Sequence, residues 1–391
     1  MTICFLSVCQ FNEFSGGVDR VCCLLSREFI HRGYHLIYVF GNPSALGHPA
    51  GGCEGDGQYQ LPYKIEDDRN IVFFSKLVLK HMVDVVIDVA FITRYHDIAF
   101  QARMRASFKL ITTYHADPFC DLKELRDKVE WISMEYKGIF LFLHLFTAYV
   151  KYPLSLLMRY KSLKSRFSKK VLESDYFVVL CEEYANQVKR IVNNNLKDRV
   201  IAINNPYSSS CDVEKFKKKN IVLFVGRMDS QKRVDRLLRI WSKIEKKINS
   251  WELVVVGDGE FLDVYKNYSQ RLSLKSVRFV GRGIGPDYMK EAKILTMLSS
   301  YEGMPMVLLE ALQYGSVPIL FKSFSSSYVL VKHKLNGVLV RPFSESQFSR
   351  RLLDLMNNDS LLADMRNNAY LSLSSFRIET VANQWEELFH A

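Results

Sequence analysis

The chain has 391 residues, long for one domain and ample for two α/β domains. An apolar fraction of 48% beside 24% charged residues excludes a disordered chain. Lys and Arg exceed Asp and Glu by 53 to 42, a formal net charge of +11, which suits an anionic partner (a nucleotide, a phospholipid surface or nucleic acid) without choosing among them.

In chain order, ICFLSVC at 3–9 reads as a buried strand. No basic segment or small-residue cleavage site accompanies it, so no secretory signal peptide is expected. A loop with Gly16 and Gly17 follows, then a helix from about Val18 to Arg32, stopped by Gly33. The runs 35–41, 84–89, 108–115 and 175–181 are short, apolar and rich in Val, Ile, Tyr and Phe, and they alternate with helical patterns. That alternation predicts a parallel sheet covered on both faces. The run Gly138 to Val150 is uncharged but only 13 residues long, short of the ~20 needed to cross a bilayer. The eight cysteines form no CxxC pair and no metal-ligand spacing with His; several lie in apolar runs, so all are expected to be reduced thiols in a cytosolic protein.

The βα pattern restarts near Lys219, after the hydrophilic stretch 204–219. Strands are expected at 221–226, 277–281, 294–300 and 317–321, a strand and turn at 251–259, a helix from about Val234 to Lys247, and helices over the last 45 residues or so. The expected division is an N-terminal domain at 1–205, a C-terminal domain at 206–375, and a last helix at 376–391 packing back on the first domain. Two doubly wound α/β domains would bind ligands at the carboxyl ends of their strands.

Four blocks could carry chemistry. In SSYEGMPMVLLEALQYGSVPI, 299–319, Glu302 and Glu310 are separated by seven residues, and Pro305 stands at the expected first position of a helix. The free N–H groups near Met306 and Val307 would form an anion site fit for a diphosphate, with the two glutamates placed to meet hydroxyls on either side. In VGRMDSQKRVDRLL, 225–238, Arg227 follows a strand and Lys232 precedes a helix; such a pair binds phosphate through a guanidinium fork and a point charge. Alone, it would be a basic surface loop. In SGGVDR, 15–20, two glycines let the backbone approach an anion, but no acid ends the next strand, which disfavours NAD. In TTYHADP, 112–118, His115 ends a strand with Asp117 close by.

Together the blocks SGGVDRV, VLFVGRMDSQKRVDRLL, ELVVVGDGE, VRFVGR, SSYEGMPMVLLEALQYGSVPI and NGVLV resemble, in order and spacing, the family 4 retaining glycosyltransferases of GT-B fold, especially bacterial enzymes of lipopolysaccharide, O-antigen, capsule or exopolysaccharide synthesis. The resemblance covers nearly the whole chain and is strongest over 220–342. It implies two Rossmann-like domains facing across a cleft, with a nucleotide-sugar donor, UDP-linked and hexose-type, and a glycan or lipid-linked acceptor. It implies that Arg227 and Lys232 bind the donor diphosphate, Gly17 with Gly16 lies against it, Glu302 addresses the donor sugar, Glu310 binds the ribose, Arg282 lies by the nucleobase, and His115 lies near the reacting carbon. Those four residues Arg227, Lys232, Glu302 and His115 are the candidate catalytic set. The family's pattern is broken at Met304-Pro305-Met306, where an apolar residue and Gly are usual, and at Tyr114-His115-Ala116-Asp117.

No Asp-x-Asp pair is present to hold Mn²⁺ or Mg²⁺, so neither metal nor cofactor is expected. The basic stretch 136–172 has no acid before Glu173, and Leu156, Tyr160, Leu163, Phe167 and Val171 recur at near-helical spacing, which predicts contact with an anionic membrane surface. A cytoplasmic protein, peripheral on the inner face of the cytoplasmic membrane, is the expectation. The competing readings are a nucleotide-sugar epimerase of similar fold and a non-catalytic nucleotide- or nucleic-acid-binding protein; no nucleic-acid recognition motif is present.

Overall fold

Continuous runs of Val, Ile, Leu and Phe are buried on both faces only when helices cover a parallel sheet. The computed structural model contains two such sheets. It describes residues 1–13, 16–42, 53, 55–91, 93–124, 138–207, 216–248 and 250–391, with the side chains of 138–152 and Tyr370 left aside. Ser15, Cys211, residues 136–137 and the side chains of the apolar run 138–150 therefore lie outside the described residues.

The first sheet has seven strands: β1 (Thr2–Cys9), β2 (His35–Asn42), β3 (Gly57–Gln60), β4 (Val85–Asp88), β5 (Lys109–Tyr114), β6 (Tyr176–Val179) and β7 (Val200–Ala202). Their order is β3-β2-β1-β4-β5-β6-β7, all parallel, so the winding reverses between β1 and β4. Among the described residues its helices are α1 (Gly17–His31), α2 (Arg69–Lys80), α3 (Thr93–Ala102), α4 (Gly138–Glu173) and α5 (Glu182–Ile191).

The second sheet has six strands: β8 (Lys219–Val225), β9 (Glu252–Val256), β10 (Val277–Gly281), β11 (Ala292–Met297), β12 (Val317–Phe321) and β13 (Val338–Val340). The order β10-β9-β8-β11-β12-β13 reverses between β8 and β11. Its helices are α6 (Val234–Ile244), α7 (Leu262–Arg271), α8 (Gly285–Glu291), α9 (Met306–Gln313), α10 (Ser326–Leu330), α11 (Glu345–Met356) and α12 (Asp359–Leu371). In α6 the residues Val234, Leu237, Leu238, Ile240, Trp241 and Ile244 recur at helical spacing and are all buried against the sheet.

Two compact units result: Met1–Pro118 with Leu157–Ser209 and Phe376–Ala391, and Phe119–Leu156 with Ser210–Ser375. The last helix, α13 (Ile378–His390), belongs to the first unit. Its Glu386 pairs with Arg32 at 2.5 Å, and its Phe389 meets Phe29 edge-on at 5.3 Å. The sequence reading put all of 1–205 in one domain, whereas residues 119–156 group with the second unit. There Lys123 Nζ donates to the Ser323 carbonyl at 3.0 Å.

Two further expectations change. Not every cysteine is a free thiol: Cys23 and Cys53 form a disulfide, with Cα atoms 5.1 Å apart. Helix α1 points Cys23 inward and the chain after β2 returns Cys53 to it, well inside bridging range. The apolar stripe of α4 is also divided. Leu163, Phe167 and Val171 are buried, with Phe167 packed on Phe91, Tyr114 and Phe177, and Lys170 is buried with them. The same layer holds a buried polar cluster, in which His96 Nδ1 lies 3.1 Å from Asp88 and its Nε2 3.1 Å from Glu173. These contacts fix α3 and the end of α4 to β4. Among the described residues no helix is long and apolar enough to cross a membrane.

The turns after β8 and β9 cross with almost no space between them. Gly226 N–H donates to Val256 O at 3.1 Å, and Met228 N–H to Asp258 O at 2.9 Å. Gly257 has φ +144, and a Cβ there would lie 1.8 Å from the Gly226 carbonyl oxygen. Gly257→Ala should therefore destabilise the protein by ~2–4 kcal/mol, combining backbone strain with a collision against main chain. Gly33→Ala is the control, since Gly33 has φ +86 but open space around it. Denaturant unfolding of both variants checks this; equal losses would show that the crossing is no constraint.

Candidate active site

The reversal of winding between β8 and β11 sets the turns after these strands side by side. The β8 turn carries Arg227 to Lys232, and the β11 turn carries Ser300 to Pro305. Gln231 clips them together: its carbonyl accepts from Ser300 N–H at 3.0 Å, and its Nε2 donates to Tyr301 O at 2.8 Å. Lys232 is thereby brought to Glu302, with Nζ 2.5 Å from Oε1. Both side chains are largely shielded, 16% and 9% exposed. An ion pair so sheltered is screened less by salt than a surface pair.

Asp229 shapes the same turn. Its Oδ1 accepts the Lys232 backbone N–H at 3.1 Å, and its Oδ2 lies 3.2 Å from Arg227 Nη2. Its carbonyl accepts the Tyr265 hydroxyl at 2.9 Å, and burial, with Asp235 and Asp229 nearby, raises the Tyr265 pKa. Arg227 itself is 74% exposed, so its guanidinium reaches into solvent from a fixed base.

Helix α9 begins at Met306, one residue later than expected, with Pro305 as its N-cap in an extended conformation rather than its first helical residue. Pro305 has no N–H to satisfy, and its carbonyl accepts from Leu308 N–H at 3.0 Å. Met306 is buried and Val307 half-buried on the first turn; Glu310 sits on the second turn, 8% exposed. Arg282 is exposed in the loop after β10, next to Gly281, which has φ +78.

The remaining candidates, Gly16, Gly17 and His115, belong to the first unit. Gly16 is the N-cap of α1 in an extended conformation, and a Cβ added there meets nothing within 4 Å, so nothing in the described chain demands glycine at that position. His115 follows β5. Both its ring nitrogens are buried and have no hydrogen-bond partner among the described residues, beside a cavity of about 10 Å³ lined by Val21, Leu25, Val178, Asn205 and Trp385 among others. Burial pushes its pKa down to about 4, so the ring is neutral at neutral pH. Among the described residues no three His, Cys, Asp or Glu side chains gather as a metal site.

Within the second unit the structure brings Lys232 and Glu302 into contact and sets Arg227 on the same turn through Asp229. The sequence reading gave Lys232 and Glu302 separate tasks and did not pair them. It also passed over Asp229, although an aspartate three residues before a helix-entry turn is a recognisable local capping pattern.

Residues 210–372 match the family model described as Glycosyl transferases group 1. Among curated relatives, an amylovoran biosynthesis glycosyltransferase of Erwinia amylovora is 30% identical over 178 residues, 44% of this chain and 49% of that protein. An undecaprenol-linked glycan α-1,4-N-acetyl-D-galactosaminyltransferase of Campylobacter jejuni is 28% identical over 195 residues, 49% of this chain and 54% of that protein. The chain thus spans about half the length of these relatives. Of solved structures, Staphylococcus aureus TarM in complex with fondaparinux, α-GlcNAc-glycerol and UDP superposes with a TM-score of 0.75 at 14% identity, covering 100% of both chains. The two parallel-sheet α/β domains are accordingly a GT-B fold. The family likeness itself rests on residues 210–372, the segment that carries Arg227, Lys232, Arg282, Glu302 and Glu310.

Proposed function

We propose that this protein is a retaining glycosyltransferase of bacterial surface polysaccharide synthesis, moving a hexose-type sugar from a UDP-sugar to a glycan or lipid-linked acceptor. The observation that carries the reading is the Lys232–Glu302 pair beside the start of α9, within a segment that matches the glycosyl transferase family. Lys232, Arg227 on the same turn through Asp229, and a helix N-terminus supply anion-binding groups at one corner. Such preorganised charge stabilises a departing nucleoside diphosphate, and effects of this kind are usually the largest catalytic contribution. The relatives' names support the substrate classes: one serves amylovoran biosynthesis, one acts on an undecaprenol-linked glycan, and the TarM structure holds UDP.

In the proposed reaction the acceptor hydroxyl oxygen bonds to the anomeric carbon on the face the phosphate leaves. The carbon–oxygen bond to phosphate breaks, its electron pair stays on the phosphate oxygen, and the hydroxyl proton passes to that oxygen. Arg227, Lys232 and the α9 N-terminus take up the charge. Glu302, fixed by Lys232, orients the donor sugar, and Glu310 holds the ribose.

The two glutamates should therefore separate. Glu310→Gln should weaken UDP binding, and Glu302→Gln should spare it while lowering turnover, because UDP carries ribose but no transferred sugar. Lys232→Ala should weaken UDP roughly ten- to a hundredfold, as expected for one charge-assisted contact of about 1.5–3 kcal/mol. Calorimetry with UDP decides; equal losses in both glutamate variants would contradict the roles. The reading also makes the enzyme independent of metal, so transfer should continue in excess EDTA. Loss of activity that Mn²⁺ or Mg²⁺ restores would overturn it.

The proposal places the enzyme on the inner face of the cytoplasmic membrane. With Leu163, Phe167 and Val171 buried, the proposed lipid-facing part of α4 is exposed Leu154, Leu157, Met158 and Tyr160 beside exposed Lys161 and Lys164. Val72, Leu79 and Met82, with Lys76 and Lys80, add a second basic and apolar patch on α2 and just after it. Each cation near an anionic surface is worth ~1 kcal/mol. Liposome co-sedimentation should require anionic lipid, weaken with salt, and weaken again in the Lys161→Gln, Lys164→Gln double variant. Wild-type protein that stays in the supernatant at low salt would end the membrane claim.

A further inference from the structure

Arg233 stands in a conformation that its chemistry does not favour. It is the N-cap of α6, with φ 54 and ψ 44, the left-handed region that favours glycine. Its side chain is one of the most deeply buried in the protein, 2% exposed. The guanidinium is met by Asp235: Nε lies 3.1 Å from Oδ1 and Nη2 lies 3.3 Å from Oδ2. Asp235, equally buried, also takes Arg239 Nη1 at 3.1 Å, and Arg239 Nη2 reaches Glu345 on α11 at 2.7 Å. A strained backbone and a desolvated cation both cost stability, and they persist where the surroundings over-determine them.

The residue before Arg233 is Lys232. The left-handed step at 233 separates two opposite requirements. Val234 must enter the core, where it is fully buried. Lys232 must leave the core toward Glu302, held on its other side by its backbone bond to Asp229. A glycine at 233 would adopt the same dihedrals without strain, but it would offer no side chain to fix them. We propose that Arg233 is a positioning residue: its buried two-point pairing with Asp235 locks the turn so that the Lys232 ammonium is held at the donor-phosphate site.

This inference rests on the proposed role of Lys232, and its test separates the two. UDP affinity is measured by calorimetry for the unaltered protein, Lys232→Ala, Arg233→Gly and the double variant, with thermal unfolding as the check on folding. Arg233→Gly should weaken UDP about tenfold. The double variant should bind no more weakly than Lys232→Ala alone, because both changes remove one interaction; a merely structural role would add the two losses. Arg233→Lys, which keeps a buried cation but not the fork, should fall between, and it carries the same cycle if Arg233→Gly does not fold. A second readout needs no nucleotide. Reductive methylation followed by mass spectrometry should show Lys232 modified slowly in the unaltered protein and several times faster in the folded Arg233 variant, since its amine is then less well held against Glu302. Unchanged UDP affinity with an unchanged Lys232 methylation rate, or fully additive losses, would overturn the positioning role. Unchanged UDP affinity in Lys232→Ala would instead overturn the phosphate role of Lys232, while faster methylation would still support the positioning of its side chain by Arg233.

Discussion

Lys232 and Glu302 are 70 residues apart in the chain and meet because a parallel doubly wound sheet must reverse its winding somewhere. In the second unit that reversal falls between β8 and β11, so the two turns at the carboxyl ends of these strands are neighbours. Everything else about the candidate site follows from that adjacency. Gln231 ties the turns together, Asp229 gives the first one its shape, and Pro305 starts α9 directly after the second. A cation, a carboxylate and a helix N-terminus then occupy one corner without any of them having to leave its own element.

Holding that corner has a price in backbone freedom. The β8 and β9 turns approach so closely that Gly257 has no room for a side chain. Lys232 comes five residues after Arg227 and three after its aspartate anchor Asp229, and directly after it Arg233 adopts a left-handed conformation despite its bulk. Glycine and arginine solve different problems here. At 257 the neighbour is main chain and cannot move, so only the absence of Cβ serves. At 233 there is space for a long side chain, and burying it against Asp235 supplies rigidity that glycine would lack.

The first unit shows the same economy of elements around a different chemistry. Its switch point lies between β1 and β4, and Gly16 and Gly17 follow β1. His115 lies after β5 with a neutral ring that has no hydrogen-bond partner among the described residues. A neutral imidazole can accept or donate a hydrogen bond but contributes no net charge. The disulfide between Cys23 and Cys53 and the cluster of Asp88, His96 and Glu173 fix helices α1, α3 and α4 to their sheet independently of that chemistry.

The amino-acid sequence by itself determined the two sheets, their parallel character and the main candidate residues. Uninterrupted apolar runs such as IVLFV and ELVVV admit few other arrangements, and a glycine after a strand, Pro305 before an apolar run and the Glu302–Glu310 spacing are local signals. It could not determine what depends on distant atoms. Whether Leu163, Phe167 and Val171 face lipid or core depends on Phe91, Tyr114 and Phe177, which come from three other parts of the chain. The bonding of Cys23 to Cys53, the pairing of Lys232 with Glu302 and the burial of Arg233 against Asp235 likewise appear only once strands are ordered side by side. Periodicity reports how one element divides its faces between water and protein; which protein atoms wait on the buried face is decided by the packing of the whole.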